Sequence, residues 1–208
     1  MKTGISAFEA LERLKQGNRR FSSGLLSIDT LLSQMRRGEL AQKQEPVAVI
    51  LGCSDSRVPA EMIFDQGLGD LFVIRVAGNI VAPSQIGSIE FAVQKFGTRL
   101  VVVLGHSLCG AITATVEELE RPSESRSPNL RSIVDRIRPA VEPLLKFVPY
   151  ASQEKLIEHA VRANILASVN QLKHSSQILE AMIETQELLI VGAEYSLETG
   201  VVSFLESY

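Results

Sequence analysis

The sequence is poor in several residue types, and these shortages exclude some classes of protein. Among its 208 residues there is no tryptophan, and there are only two cysteines and three histidines. Two cysteines cannot supply the disulfide framework that stabilises small secreted domains, so we expect both thiols to be free. A chain of this length can bury an ordinary core without such crosslinks.

Long apolar runs are also missing. A helix that crosses a bilayer needs about 20 consecutive apolar residues, and no run in this sequence approaches that length. Residues 1–21 form an amphipathic helical pattern with acidic residues among the apolar ones, which differs from the apolar core of a secretion signal. We therefore expect a cytoplasmic protein.

Charge of one sign is scarce as well. The formal net charge is −3 at pH 7, with 22% charged and 45% apolar residues. This balance gives no general attraction to nucleic acid or to an anionic membrane surface, so neither is expected as a partner. Any anion that this protein handles must be bound by local chemistry.

Apolar runs of strand length alternate with helical patterns along the chain. The predicted strands are residues 47–52, 71–78, 99–105 and 188–195. The predicted helices are residues 85–96, 109–119, 130–145 and 153–187, the last broken near 173–176. This alternation predicts an α/β fold, with a mostly parallel central sheet of four strands flanked by helices.

The last apolar segment, residues 200–207, predicts a fifth strand. Only four residues, 196–199, separate it from the end of the fourth strand, too few for a parallel crossover, so we expect an antiparallel edge strand. No repeat or low-complexity linker divides the chain. We expect a single domain over 1–208, with an N-terminal helical arm at 1–40 and an α/β core at 41–208.

Two short stretches place unusual polar side chains directly after predicted strands. GCSDSRVPAE, residues 52–61, follows the first strand, and GHSLCGA, residues 105–111, follows the third. In open α/β sheets, ligands bind outside the carboxyl ends of the strands. If the strands are parallel, both cysteines lie at that edge.

Cys53, His106 and Cys109 form a candidate metal site. Two thiolates and one imidazole suit Zn²⁺, and three protein ligands leave a fourth position for water, as in catalytic zinc sites. The alternative is that both cysteines are small buried apolar side chains and His106 is a hydrogen-bonded loop residue. The spacing by itself leaves both interpretations open.

Asp55 and Arg57 alternate with Cys53, and alternate residues of an extended segment share a face. An arginine keeps a neighbouring carboxylate ionised and able to accept hydrogen bonds. Asp55 would then orient a metal-bound water or compete with it for the metal. The alternative is an ordinary ion pair at a strand end.

Taken together, the two motifs resemble those of the β-class carbonic anhydrases. The resemblance covers most of the chain, including GNRRF, FDQGLGDLFVIRVAGNIV, GSIEFAV and VGAEYSLETGVV. It implies a zinc lyase, carbonate dehydratase, that hydrates carbon dioxide reversibly to bicarbonate and a proton by a zinc-bound hydroxide. The implied ligands of one Zn²⁺ per chain are Cys53, His106 and Cys109, with Asp55 and Arg57 as the catalytic dyad.

The resemblance is to the open-site subgroup of that family, in which the aspartate does not replace water on zinc. Gln44 matches a pocket glutamine of this subgroup. Ile50 stands where the closing subgroup has a tryptophan of a regulatory bicarbonate site, although Arg75 and Tyr195 match the other two members of that site.

The resemblance also implies a substrate pocket and an oligomer. Phe72 and Ala77 match the apolar wall for carbon dioxide, Phe91 stands where many relatives have tyrosine, and Gly110 offers a backbone N–H beside the metal. The family forms homodimers or homotetramers in which the N-terminal helix packs on a neighbouring subunit and the pocket is completed at the interface.

Other functions remain open from the sequence. A few relatives hydrolyse carbonyl sulfide or carbon disulfide on the same fold, and a bicarbonate sensor or scaffold without turnover is a further alternative. The complete ligand set and dyad argue against the loss of turnover. The absence of C-x-x-C argues against a thiol redox protein.

Overall fold

A computed structural model describes residues 4–28, 37–122, 127–147 and 152–205. These residues form eight α-helices, five strands and one 3-10 turn. The helices are α1 (Ala7–Ser22), α2 (Arg37–Leu40), α3 (Ala60–Ile63), α4 (Pro83–Phe96), α5 (Gly110–Glu120), α6 (Pro128–Phe147), α7 (Gln153–Lys173) and α8 (Gln177–Glu184). The strands are β1 (Ala48–Gly52), β2 (Leu71–Arg75), β3 (Leu100–His106), β4 (Leu189–Tyr195) and β5 (Val202–Leu205), and the 3-10 turn is Ala77–Asn79.

The five strands form one sheet in the order β2-β1-β3-β4-β5. The first four strands pair in parallel, and β5 pairs with β4 antiparallel. This confirms the predicted mostly parallel sheet with an antiparallel edge strand. The predicted break in the long C-terminal helix is also confirmed, because Ser176 caps the start of α8 by accepting a hydrogen bond from the Leu179 amide.

The second strand is shorter than the sequence predicts. It ends at Arg75 rather than at Gly78, because the backbone turns at Gly78 (φ 70°) and Asn79 (φ 43°). Glycine adopts this left-handed conformation without a steric penalty, and asparagine tolerates it better than most residues. The apolar run therefore continues past the strand into a turn that lies against the site described below.

The sheet is covered on both faces, which explains its continuous apolar strands. Along β1, Val49 and Leu51 face one hydrophobic cluster, while Ala48 and Ile50 face the other. The first cluster includes residues of α4 to α8, and the second includes residues of α1, α3 and β5. Among the described residues, no helix is long and apolar enough to cross a membrane.

Helix α1 packs with one face on its own chain. The family resemblance implied that such a helix packs on a neighbouring subunit. Its N-terminus is fixed by a capping box between Ser6 and Glu9. Leu14 is fully buried, and Asn18 binds the carbonyls of Ile63 and Gly200. The opposite face leaves apolar area exposed, since Phe8 is 72% exposed.

Helix α7 lies unusually close to the central strands because two of their residues are glycines. A Cβ at Gly105 of β3 would lie 2.5 Å from Cδ1 of Ile165, and one at Gly192 of β4 would lie 2.7 Å from its Cγ2. Ile165 is fully buried, and side chains in such a core are closely packed. The glycines therefore set the distance between α7 and the end of β3.

Gly105→Ala should lower the free energy of unfolding by about 1–3 kcal/mol, because the added methyl group overpacks a filled core. The measurement is chemical denaturation followed by circular dichroism. Gly87→Ala is the control: it lies in α4 with no atom near its new Cβ, and alanine favours helix by up to about 1 kcal/mol. Equal stabilities of Gly105→Ala and the wild type would contradict the close packing.

Candidate metal centre

The parallel pairing of β1 and β3 brings the two predicted motifs together. Gly52 at the end of β1 is paired with Leu104 of β3, so Cys53 and His106 leave the sheet at the same edge. The chain then turns through Leu108, whose φ of 56° is in the left-handed region. This turn places Cys109 at the N-cap of α5, on the same side as Cys53.

The side chains of Cys53, His106 and Cys109 meet at this edge. One ligand atom from each residue lies within 4.8 Å of the others, and the two sulfurs are 3.9 Å apart. All three residues are at least 95% buried. In the described part of the chain, this is the one cluster of three or more histidine, cysteine or acidic residues with metal-binding geometry.

The imidazole of His106 is oriented for metal binding. Its Nδ1 lies 2.9 Å from the Ser107 carbonyl oxygen, and since a carbonyl only accepts, we assign the ring proton to Nδ1. Nε2 then carries a lone pair, and it is buried with no hydrogen-bond partner among the described residues. A histidine that donates one ring N–H to a carbonyl and offers the other nitrogen is the usual arrangement at a metal. The residues fit Zn²⁺.

The two thiols influence each other's ionisation. The pKa of the Cys53 thiol is lowered because the Cys109 S–H can donate to the Cys53 thiolate, and the Gly78 amide, 3.4 Å from the Cys53 sulfur, acts in the same direction. The pKa of Cys109 is raised by the same contact with Cys53 and by burial. A cation between the sulfurs would neutralise both thiolates, so the pair favours a bound metal.

Asp55 is held beside these residues by Arg57. The guanidinium donates from Nε to Oδ1 at 2.9 Å and from Nη2 to Oδ2 at 2.7 Å. This two-point contact lowers the pKa of the Asp55 carboxyl well below its usual range. Oδ2 also lies 3.9 Å from His106 Nε2. The carboxylate is therefore an ionised acceptor at the edge of the cluster.

Arg75 fixes the backbone of the loop that carries Cys53 and Asp55. It donates from Nε to the Cys53 carbonyl at 3.0 Å and from Nη2 to the Asp55 carbonyl at 2.5 Å. Ile50, at the position of the missing tryptophan, and Tyr195, at the third position of the bicarbonate site implied by the resemblance, are buried on the second face of the sheet. In this chain Arg75 acts as a clamp on the loop.

The structure brings only two of the five predicted pocket residues to the metal cluster. Ala77 precedes Gly78, whose amide contacts the Cys53 sulfur, and Gly110 begins α5 directly after Cys109. Gln44 precedes β1 and lies against Gly69, at the amino end of the strands. A strand of five residues separates that end from Cys53 by roughly 16 Å.

Phe72 and Phe91 are also displaced toward the amino end of the sheet. Phe72 pairs with Val49 near the start of β1, and its ring lies 6.2 Å from that of Phe91 and 6.0 Å from that of Phe96. Phe91 is 52% exposed. Within one chain, Gln44, Phe72 and Phe91 therefore lie away from Cys53, His106 and Cys109.

Sequence patterns did not single out two further polar residues close to the site. Asn164 and Ser168 of α7 are buried and donate to the carbonyls of Gly78 and Asn79. The signal was present, because both interrupt the buried apolar stripe of α7, which is formed by Leu156, Ala160, Val161, Ile165, Val169 and Leu172. A polar residue at a core position of such a stripe needs a buried partner.

Comparisons with known proteins agree with this geometry. Residues 48–202 match the family model described as carbonic anhydrase. A carbonic anhydrase of Mycolicibacterium smegmatis is 39% identical over 193 residues, which cover 93% of this chain and 90% of that protein. Carbonic anhydrase 2 of Mycobacterium tuberculosis is 38% identical over 193 residues, covering 92% and 89%.

A solved structure shows the same similarity in three dimensions. The chain resembles the β-carbonic anhydrase CafA of Aspergillus fumigatus with a TM-score of 0.73 and 25% sequence identity. The match covers 96% of this chain and 90% of that one. The similarity in three dimensions therefore extends over nearly the whole chain.

Cys109→Ser should abolish stoichiometric zinc binding, because a serine hydroxyl is a far weaker zinc ligand than a thiolate. The measurement is elemental analysis of the purified protein after dialysis. The matched control is Ser54→Ala, an exposed residue next to Cys53, which should keep the wild-type zinc content. Full zinc occupancy in folded Cys109→Ser would contradict this ligand set.

Proposed function

The chain belongs to the β-class carbonic anhydrases, which are carbonate dehydratases, and we propose that it hydrates carbon dioxide reversibly with one Zn²⁺ held by Cys53, His106 and Cys109. The observation that carries this proposal is the buried, unpartnered Nε2 of His106 beside two sulfurs 3.9 Å apart. Bound zinc lowers the pKa of a coordinated water from 15.7 toward roughly 7, which makes a nucleophile available at neutral pH.

Asp55 is the residue that orients the attacking water in this proposal. Because Arg57 keeps its carboxylate ionised, Asp55 can only accept hydrogen bonds. A water that donates to Oδ2 has its proton fixed toward Asp55, so an oxygen lone pair is free to face the carbon of carbon dioxide. Arg57 and Arg75 act through Asp55, by holding its charge and its backbone.

The remaining groups at this edge bind the substrate rather than activate the water. Ala77 offers an apolar side chain to a small apolar gas. The first amides of α5, beginning at Gly110, point toward the site with the positive end of the helix dipole. They can stabilise the negative charge that develops on oxygen as bicarbonate forms.

Asp55→Asn should reduce carbon dioxide hydration by at least about 100-fold, since an amide can also donate and no longer fixes the water in one orientation. Zinc content should remain at one per chain, because the metal ligands are unchanged. The measurement is stopped-flow hydration with a pH indicator. Asp135→Asn, an exposed residue of α6, is the control and should have wild-type turnover.

Wild-type turnover in Asp55→Asn would contradict the role of the carboxylate. The wild-type protein is used to test which substrate it accepts. Sulfide release from carbonyl sulfide is measured on the same sample as carbon dioxide hydration. Release of sulfide with no hydration of carbon dioxide would contradict the proposed activity. Loss of hydration in Asp55→Asn together with loss of zinc would contradict the separation of ligand and dyad.

We further propose that Gln44, Phe72 and Phe91 belong to the pocket of a neighbouring subunit in a homodimer or homotetramer. Their place at the amino end of the strands separates them from the metal cluster of their own chain. Phe91 is itself 52% exposed, and the chain also exposes Leu25 (67%) and Ile28 (72%). Such area on a folded chain marks an interface with another protein.

Mixing two inactive variants tests this arrangement. Asp55→Asn lacks its own dyad, and Gln44→Ala lacks the pocket amide that it would give to a neighbour. In a mixed dimer, one site has both Asp55 and the partner's Gln44, so turnover should return to about half of the wild-type value per mixed dimer. The measurement is hydration after the two chains are refolded together.

The controls are each variant refolded alone, which should stay at its own low rate. A wild-type rate in Gln44→Ala would remove Gln44 from the pocket. A mixture that stays as inactive as its parents, while size-exclusion chromatography shows dimers, would contradict the sharing of residues between subunits.

A further inference from the structure

The turn Ala77–Asn79 connects the metal cluster to helix α7. On its outer side, the Gly78 amide donates to the Cys53 sulfur at 3.4 Å. Gly78 itself is tightly enclosed, because a Cβ there would lie 2.8 Å from Cδ1 of Ile137 and 3.1 Å from Cβ of Ala111. The direction of the Gly78 N–H therefore depends on the residues that contact the turn on the side away from Cys53.

Helix α7 holds the turn by two hydrogen bonds. Asn164 donates from Nδ2 to the Gly78 carbonyl at 2.8 Å, and Ser168 donates from Oγ to the Asn79 carbonyl at 3.3 Å. The helix is itself fixed, since Ile165 fills the space over Gly105 and Gly192. A rigid element thus contacts the turn at two successive carbonyls.

Placing the polar side chains of Asn164 and Ser168 in the core costs free energy, and packing alone does not explain why polar residues occur there. Asn164 is 2% exposed and Ser168 is 5% exposed, on a helix face that is otherwise apolar. The Nδ2 of Asn79 is buried with no hydrogen-bond partner among the described residues. Burial of polar groups costs free energy even when part of it is recovered by hydrogen bonds. A gain elsewhere is needed to offset it, and the contact to Cys53 offers one.

We propose that Asn164 is a positioning residue for the metal centre, which holds the Gly78 carbonyl so that the Gly78 N–H stays directed at the Cys53 sulfur. An N–H that donates to a thiolate draws electron density from the sulfur and fixes its direction. Groups that bind metal ligands in this way change metal affinity by about 10–100-fold when they are removed. This inference rests on the proposed function, because it takes Cys53 as a zinc ligand.

Asn164 and Ser168 differ in a way that separates positioning from general stability. The carbonyl that Asn164 binds belongs to Gly78, the residue whose N–H contacts the sulfur. The carbonyl that Ser168 binds belongs to the next residue, and its hydrogen bond is 0.5 Å longer, as 3.3 Å compares with 2.8 Å. Both removals should lower stability, but only the loss of Asn164 should alter the metal centre.

The test compares Asn164→Ala with Ser168→Ala in the full chain. Zinc affinity is measured by competition with a chromophoric chelator, and thermal unfolding is measured on the metal-free proteins. Asn164→Ala should bind zinc at least about tenfold more weakly than the wild type, while Ser168→Ala should stay within about twofold. Asn164→Leu fills the volume of the amide without its donors and should show the same loss, which provides a second variant if alanine impairs folding.

A spectroscopic measurement reports on the sulfur directly. In the Co²⁺-substituted protein, the charge-transfer band from sulfur to metal should move to lower energy in the Asn164 variants, because a thiolate without its N–H donor is richer in electrons. The band of Ser168→Ala should match that of the wild type. A merely structural loss would lower the unfolding temperature of both variants and leave the band in place.

Two results would overturn the inference. Folded Asn164 variants that bind zinc within about twofold of the wild type, with an unchanged cobalt band, would contradict it while leaving the proposed function intact. A wild-type chain that bound no zinc would overturn the proposed function and this inference together.

Discussion

The parallel pairing of β1 with β3 is the constraint on which the rest of the site depends. Two motifs more than fifty residues apart become neighbours because their strands end at the same edge of the sheet. That pairing requires apolar strands covered on both faces, and α7 packs closely over β3 and its neighbour β4 at Gly105 and Gly192. The metal cluster is thus positioned by the hydrophobic core rather than by its own loops.

Burial then gives the cluster its chemistry. The two sulfurs and the His106 imidazole are removed from water, so their lone pairs have no solvent partner. Buried lone pairs without a partner raise the free energy of the metal-free protein, and a bound cation removes this cost. Two arginines keep the site in the arrangement that binds a metal. Arg57 keeps the Asp55 carboxylate charged, and Arg75 fixes the backbone between Cys53 and Asp55. The preference for a metal follows from the cost of leaving these donors unpaired.

Sequence patterns predicted the fold and brought together the residues whose positions depend on strand ends. The continuous apolar runs gave the parallel sheet, and Cys53, His106 and Cys109 meet as their motifs indicated. The end of β2 was misjudged because Val76, Ala77 and Gly78 continue the apolar run, while the backbone turns at Gly78 and Asn79. Apolar periodicity reports burial, and it does not report the sign of φ.

The pocket was harder to predict, for a physical reason. The family resemblance implies that Gln44 and Phe72 belong to a substrate pocket, but it does not indicate which subunit's pocket they would line. Only the strand direction shows that both lie at the amino end, away from Cys53 of the same chain. Asn164 was missed although it interrupts the buried apolar stripe of α7. That interruption indicates a buried polar residue, but it does not identify the partner, the Gly78 carbonyl, which lies 86 positions away in the sequence.

The dependence of carbon dioxide hydration on zinc tests the proposed metal centre most directly. Stopped-flow turnover is measured on the purified chain, after removal of metal by a chelator, and during stepwise return of Zn²⁺. We expect turnover to disappear with the metal and to return linearly until one Zn²⁺ is bound per chain. Undiminished hydration by the metal-free protein, or a return that needs two ions per chain, would contradict the proposed metal centre.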